Sequence, residues 1–298
     1  MNDPLVSVVI PTYNRKEMLI RLIKSIKKST YKNLEIIVVD DASTDGTYEE
    51  IKRKFPDVKI VRNEKNLMVS ASRNIGIKFS KGDYIFLIDS DNIVDKDTIK
   101  ILVETFKIYN NVGIVGPIMY YYYKPDIIWC AGVFRNMITG YTIIIGKDKK
   151  DVGQFKKILY SNDFPNAFMV KKNILKKSIL FDDKNFPIHY EEADFCKKIK
   201  ELGYKILMNP KAKVWHDIQN KYHFDKKRAF FLSRNRIIFI KKYGKIYEYI
   251  IFFLIFMNIL NLFYIFVNFT SKRRLIEKIE FFKLYLEGIK EGIFWRSK

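Results

Sequence analysis

The run Tyr84-Ile85-Phe86-Leu87-Ile88 is apolar at every position and stops abruptly at Asp89-Ser90-Asp91-Asn92. A strand with one face in water alternates apolar and polar side chains. An unbroken apolar strand is covered on both faces, as in a parallel sheet between layers of helices. This segment therefore commits the chain to a layered α/β core. It also delivers two carboxylates, one residue apart, where the strand leaves that core. Two readings stand for the pair. Asp and Asn suit a polar turn. Carboxylates this close also repel unless positive charge lies between them, and a hard cation such as Mg²⁺ or Mn²⁺, itself carrying phosphate oxygens, supplies it.

The flanking sequence repeats the pattern. Residues 5–10 form a short apolar strand ended by Pro11-Thr12-Tyr13. Asn14 and Glu17 have the spacing of a capping pair, and Leu19, Leu22, Ile23 and Ile26 follow at helical period. Residues 34–39 form the next strand and end in Asp40-Asp41; after a turn, Thr47 and Glu50 read as a capping box for a helix to about residue 55. Strand 58–62, helix 69–79, strand 84–88 and helix 95–109 complete the alternation, which predicts an α/β fold with a mostly parallel sheet, helices on both faces and right-handed crossovers. Ligands of such sheets bind beyond the carboxyl ends of the strands. Pro11-Thr12-Tyr13, Asp40-Asp41 and Asp89/Asp91 should therefore meet at one edge. A proline with an aromatic ring can sandwich a flat base, one carboxylate can accept from base or ribose, and another pair can hold a metal-bound diphosphate. Neither G-x-x-x-x-G-K-[ST] nor G-x-G-x-x-G occurs, so a metal rather than a glycine-rich loop has to carry the phosphate charge.

Four stretches in order, Ser7-Val8-Val9-Ile10-Pro11-Thr12-Tyr13-Asn14-Arg15, Val38-Val39-Asp40-Asp41-Ala42-Ser43-Thr44-Asp45-Gly46-Thr47, Ala71-Ser72-Arg73-Asn74-Ile75-Gly76 and Asp89-Ser90-Asp91-Asn92, resemble the signature of family 2 glycosyltransferases with the Rossmann-like GT-A fold. The resemblance implies that Pro11, Tyr13 and Asp41 line the nucleoside site, with Thr12, Arg15 and Asp40 beside them. It implies that Arg73 lies near the donor, where the plain alternative is a charge on a helix surface. Asp89-Ser90-Asp91 becomes the D-x-D motif, with Asp91 the direct metal ligand and Asp89 its neighbour.

The second half should build the acceptor side. Residues 112–118 read as a strand, and Tyr120-Tyr121-Tyr122-Tyr123 follows. These rings could stack on sugars; an edge strand with half its side chains buried is the favoured reading. Residues 127–132 with Gly140 resemble the stretch after the D-x-D motif in rhamnosyltransferase-like members. Asn166-Ala167-Phe168 stands where the family has Gly-Ala-Phe. His189-Tyr190-Glu191-Glu192-Ala193-Asp194-Phe195-Cys196 opens a helix that Gly203 closes. Acidic residues suit a first helical turn for electrostatic reasons alone. The cluster also resembles the family's E-D-x-D motif, which implies that Glu192 is the base of an inverting transfer, with Asp194 the second candidate. His216 follows strand 205–208 and either completes the metal site, as the resemblance implies, or is a structural histidine. The metal, Mn²⁺ or Mg²⁺, is expected between Asp91 and His216.

Charge is uneven. The net charge is +21, and residues 221–298 hold 17 Lys and Arg against 6 Asp and Glu. Residues 249–271 carry no charge and are long enough to cross a bilayer, but basic residues flank both ends and Asn258 and Asn261 lie near the middle. The expectation is a GT-A domain at 1–220 (halves 1–110 and 111–220) and a helical tail at 221–298, associated with the cytoplasmic membrane face as one span or a re-entrant hairpin. Cys130 and Cys196 have no metal-ligand spacing and fit a reducing compartment, and no secretory signal precedes the first strand. A single apolar segment and the lack of Q-x-x-R-W argue against a processive synthase. The expected partners are a nucleoside-diphosphate sugar, a lipid-linked or glycan acceptor and the membrane surface, not nucleic acid. The rivals are a nucleotidyltransferase, which would need a glycine-rich basic loop near the N-terminus, and a non-catalytic basic membrane-binding protein.

Overall fold

The structure, a computed structural model, describes residues 3–175, 179–218, 226–255, 262 and 275–296. In chain order its elements are β1 (Val6–Thr12), α1 (Lys16–Lys27), β2 (Leu34–Asp40), α2 (Thr47–Lys54), β3 (Lys59–Arg62), α3 (Met68–Phe79), β4 (Tyr84–Ile88), β5 (Asn92–Val94), α4 (Thr98–Ile108), β6 (Val112–Tyr121), β7 (Lys124–Cys130), β8 (Val133–Arg135), β9 (Thr142–Ile144), β10 (Leu159–Tyr160), β11 (Ala167–Lys171), α5 (Glu191–Glu201), β12 (Lys205–His216), α6 (Lys226–Tyr243), α7 (Ile246–Ile255) and α8 (Leu275–Phe294).

The main sheet runs β10-β12-β6-β11-β4-β1-β2-β3. The first four strands are parallel, and Val8, Val9, Ile10, Ile37, Val38, Phe86 and Ile88 are buried, as runs covered on both faces require. β11 then enters antiparallel between β4 and β6, while β12 lies parallel to β6. The sheet is thus mixed, with a parallel half that carries the βα repeat. Tyr120 is buried between β7 and β12, so this part of β6 is not an edge strand.

Two caps differ from expectation. Asn14 does not cap α1: it lies at φ 51°, and its Oδ1 accepts from the Thr44 amide at 2.7 Å. α2 is capped by Asp45, whose Oδ1 accepts from the Thr47 amide at 3.1 Å, and Glu50 instead pairs with Arg53. Asp45 Oδ2 also accepts from the Lys16 amide, so the β1 and β2 exits are stitched to each other. Much of the second signature stretch therefore has a local structural task.

The chain divides into two compact units: Met1–Phe134, Ile144–Asp183 and Glu191–Ile218 form the first, and Arg135–Ile143, Lys184–Tyr190 and Gln219–Lys298 the second. The first unit contains the sheet core. In the second, α6 packs closely along α8. A Cβ at Gly288 would lie 2.4 Å from the Phe230 carbonyl oxygen, and one at Gly292 would lie 2.9 Å from that of Arg234, so small residues set this spacing. Most of the apolar stretch 249–271 lies outside the described residues; among the described residues no helix is long and apolar enough to cross a membrane.

Candidate active site

The strand order turns back between β1 and β4, which places a topological switch point at their carboxyl ends. Thr12 pairs in register with Asp40, and Val9 with Leu87, so the three acidic or aromatic strand exits do share one edge. Arg15 crosses the switch point: its Nη1 lies 2.5 Å from Asp91 Oδ2. Antiparallel pairing of β12 with β5 sets His216 opposite Asn92, and the Asp217 amide donates to the Asp91 carbonyl at 2.8 Å. His216 Nε2 comes to 3.4 Å from Asp91 Oδ2. Burial alone would raise the Asp91 carboxyl, but His216 and Arg15 outweigh it and hold the group well below the usual carboxylate range.

Asp89 faces elsewhere. Arg73, on α3, is 1% exposed and is the hub of the acid cluster. Its Nη2 donates to Asp89 Oδ1 at 2.7 Å and Glu192 Oε1 at 2.8 Å, its Nη1 donates to Glu191 Oε1 at 3.1 Å, and the guanidinium lies over the Phe181 ring. Gly76, one turn on, lets α3 press against β1: a Cβ there would come within 2.2 Å of Val9 Cγ1. The surface-charge reading of Arg73 is thereby overturned. Burial and the neighbouring Glu192 push the Glu191 carboxyl up to about 8, against the pull of Arg73, and burial likewise raises Glu192.

The other expected site residues are distributed as follows. Pro11, Thr12 and Ser90 are buried, and Tyr13 is 47% exposed at the β1 exit. Asp41 accepts from the Leu67 and Met68 amides at 2.8 and 2.9 Å and from Asn63 Nδ2 at 2.8 Å, so its carboxylate anchors the entry to α3. Asp40 is buried beside Arg62 at 3.6 Å, and burial raises its carboxyl. Asp194 is fully buried, with Lys198 Nζ at 2.8 Å.

Asn166, which stands at the family's glycine position, is a site residue whose contacts the sequence does not show. Its backbone amide donates to Glu192 Oε1 at 2.9 Å, its carbonyl accepts from the Asp89 amide at 3.0 Å, and its side-chain Nδ2 lies 2.8 Å from His216 Nε2. It has φ 71°, the left-handed region where glycine is favoured and Asn is the best tolerated replacement. That explains how Asn can occupy the family's glycine position. Trp129, with its ring edge-on to His216 at 4.5 Å, was likewise not anticipated.

Among the described residues no three His, Cys, Asp or Glu side chains gather as a metal cage. Asp91 and His216 are close enough that they could share one cation. One carboxylate with one imidazole suits Mn²⁺ better than Mg²⁺. The guanidinium now against Asp91 shows that this spot accepts positive charge. Asp89, committed to Arg73, is not placed as a ligand beside them.

A parallel half-sheet with a carboxylate pair at its switch point and an acidic helix behind it is a GT-A architecture. The model of glycosyl transferase family 2 matches residues 7–177. The chain therefore belongs to glycosyl transferase family 2 and is a glycosyltransferase, of a family whose typical donors are nucleotide sugars. An uncharacterized glycosyltransferase of Haemophilus influenzae is 29% identical over 246 residues, covering 74% of this chain and 71% of its own. Other curated relatives align over shorter stretches, one of Rickettsia conorii over 103 residues (34% of this chain, 17% of its own) and one of Streptococcus pneumoniae over 139 residues (46% and 44%). In fold it is similar to a mannosyltransferase from Pyrobaculum calidifontis in complex with GDP-Man and Mn²⁺ (TM-score 0.61, 15% identity, 98% of this chain and 88% of that one). It is also similar to GalNAc-T7 with UDP, GalNAc and Mn²⁺ (TM-score 0.60, 19% identity, 84% and 54%).

Proposed function

We propose that this glycosyltransferase is inverting and metal-dependent, and that it moves a hexosyl or deoxyhexosyl group from a nucleoside-diphosphate sugar to a hydroxyl of a lipid-linked or cell-surface glycan. The observation that carries the reading is the Arg73 hub: a single Nη2 contacts both Asp89 at the donor edge and Glu192 on the acidic helix, at 2.7 and 2.8 Å. Donor edge and candidate base thus belong to one site.

Pro11, Thr12, Tyr13, Asp40 and Asp41 form the nucleoside side, and Arg15 is free to exchange Asp91 for a phosphate. Asp91 and His216 would hold Mn²⁺ or Mg²⁺, and a bound cation there neutralises the diphosphate leaving group. Glu192 takes the acceptor hydroxyl's proton on Oε2, because its Oε1 is already held by Arg73 and Asn166. Glu191 keeps a proton beside it, which limits repulsion within the cluster. The paired Asp194 is thereby the weaker candidate base.

Membrane docking at the cytoplasmic face belongs to the same proposal. It is supported by exposed Ile246, Ile250 and Leu254 on α7 and Leu275, Ile276 and Ile279 on α8, apolar residues within a strongly basic C-terminal region. Incubation of the protein with a panel of sugar nucleotides, Mn²⁺ or Mg²⁺ and native membrane lipid extract tests the reading. Nucleoside diphosphate release should be donor-selective, chelator-sensitive and lost in Asp91→Ala and Glu192→Ala, with inverted anomeric configuration in the product. No release from any donor in the presence of the extract overturns it.

A further inference from the structure

His189 and Tyr190 have φ of 60° and 67°. Two consecutive non-glycine residues thus sit in the left-handed region, and the very next residue is Glu191. Each such residue strains the backbone, so the turn persists only where its surroundings dictate it.

The surroundings are built from α6. Asn235 is fully buried, and its Nδ2 donates to the carbonyls of both Ile188 and His189 at 2.8 Å. Its Oδ1 accepts from Arg234 Nη1 at 2.8 Å, so the amide is fully used and its orientation is fixed. Arg234 Nη1 also donates to the Asn185 carbonyl at 2.6 Å, and Trp295 Nε1 to Asn185 Oδ1 at 2.8 Å. Arg236 Nε donates to the Tyr190 hydroxyl at 3.2 Å. All of these residues belong to the second unit, as does the turn itself. The helix does not need these bonds for its own ladder; the turn needs them to hold an otherwise unfavourable conformation.

We propose that Asn235 is a positioning residue for the transfer reaction. It locks the 188–190 turn, and the peptide bond that follows the turn carries that constraint into Glu191 and Glu192. This rests on the reading of Glu192 as the base. A base displaced by an ångström loses catalysis without losing the donor site, so the effect falls on kcat rather than on donor KM.

The full chain carrying Asn235→Ala, the isosteric Asn235→Asp, His189→Gly or Asn235→Ala with His189→Gly tests it. The readouts are kcat and donor KM with the sugar nucleotide selected from the panel, and hydrogen exchange of the 186–196 peptide. Asn235→Ala should lower kcat roughly 10- to 100-fold, leave donor KM within about twofold and speed exchange in that peptide. Asn235→Asp replaces Nδ2 with an oxygen that faces both carbonyls and should act in the same direction, which keeps the test alive if the alanine variant does not fold. Adding His189→Gly should restore much of kcat and protection, because glycine holds a positive φ without the amide. Unchanged kcat and exchange overturn the proposal. So does a loss that glycine fails to relieve, since Asn235 would then be only a packing residue. Full transfer by Glu192→Gln would instead remove the base reading, and the exchange arm would still decide whether Asn235 holds the turn.

Discussion

Two charge clusters of the first unit are built in opposite ways. At Asp91 one carboxylate lies between Arg15 and His216, and these partners hold it well below the usual carboxylate range despite burial. At Arg73 one buried guanidinium faces three carboxylates, and burial with the charge of Glu192 pushes Glu191 up to about 8. The first cluster is rich in positive charge and keeps its acid ionised. The second is short of positive charge and keeps a proton. The proposed transfer, which grips a diphosphate and takes up a proton, needs both conditions, and separate partner sets keep them apart.

The largest effect should come from removing the hub. Arg73→Leu leaves Asp89, Glu191 and Glu192 without their common cation in a buried setting, and a broken buried ion pair costs about 3–5 kcal/mol. Urea unfolding should show that loss, together with abolished transfer; Arg73→Lys, a single point donor, should recover only part of each. If Arg73→Leu is as stable as the wild type, the cluster does not hold together as described. Next in size is Asp91→Asn. Transfer should fall by about two orders of magnitude, roughly 2.7 kcal/mol of transition-state stabilisation, while thermal unfolding barely moves, because Arg15 can turn to water. Similar losses of stability and turnover would mean that Asp91 is structural.

Glu191→Gln probes the proton. A carboxyl raised in the folded state to about 8 binds a proton that the unfolded chain, at its ordinary value, has already lost. Its contribution to stability is therefore fully present below the ordinary carboxyl value and is lost as pH rises through about 8. Gln mimics the protonated form and does not titrate. The wild type should lose stability between about pH 5 and 8 on the order of 2 kcal/mol more than the variant, at about 1.4 kcal/mol per pKa unit with allowance for relaxation. Parallel stability–pH curves for the two proteins would assign the slope to another group.

The contrast between the clusters was only partly legible in the sequence. The strand ends of β1, β2 and β4 could be brought to one edge on paper, because parallel topology leaves little freedom. That reasoning reached Asp89 and Asp91, while Arg15 is pointed to only by the family resemblance. The Arg73 cluster was out of reach as a geometry, since it depends on Gly76 drawing α3 onto β1, and that approach has no local pattern. Local pattern also misled at the start of α2: Asp45 accepts from the Thr47 amide, and Glu50 pairs with Arg53. No local pattern reveals what Asn235 bonds to, because the two carbonyls it serves lie more than forty positions away. Asn166 was noticed only as a departure from glycine.

Asn166 also offers the smallest and most selective way to separate the clusters, since it touches both. Its backbone serves the Arg73 side, donating to Glu192 and accepting from the Asp89 amide, and only its side chain reaches His216. Asn166→Gly keeps the left-handed backbone and both backbone bonds but removes the His216 contact. It should leave stability within about 0.5 kcal/mol and change the Mn²⁺ concentration needed for half-maximal release by less than about tenfold, around 1.4 kcal/mol. Asn166→Ala removes the same contact and adds a Cβ that disfavours φ 71°, at a cost of about 1 kcal/mol. Only the alanine variant should weaken Glu192, seen as a lower kcat at saturating Mn²⁺. Equal kcat losses in the glycine and alanine variants would show that the Asn166 side chain, not its backbone, couples the two clusters, and the separation between the cation side and the proton side would then fail.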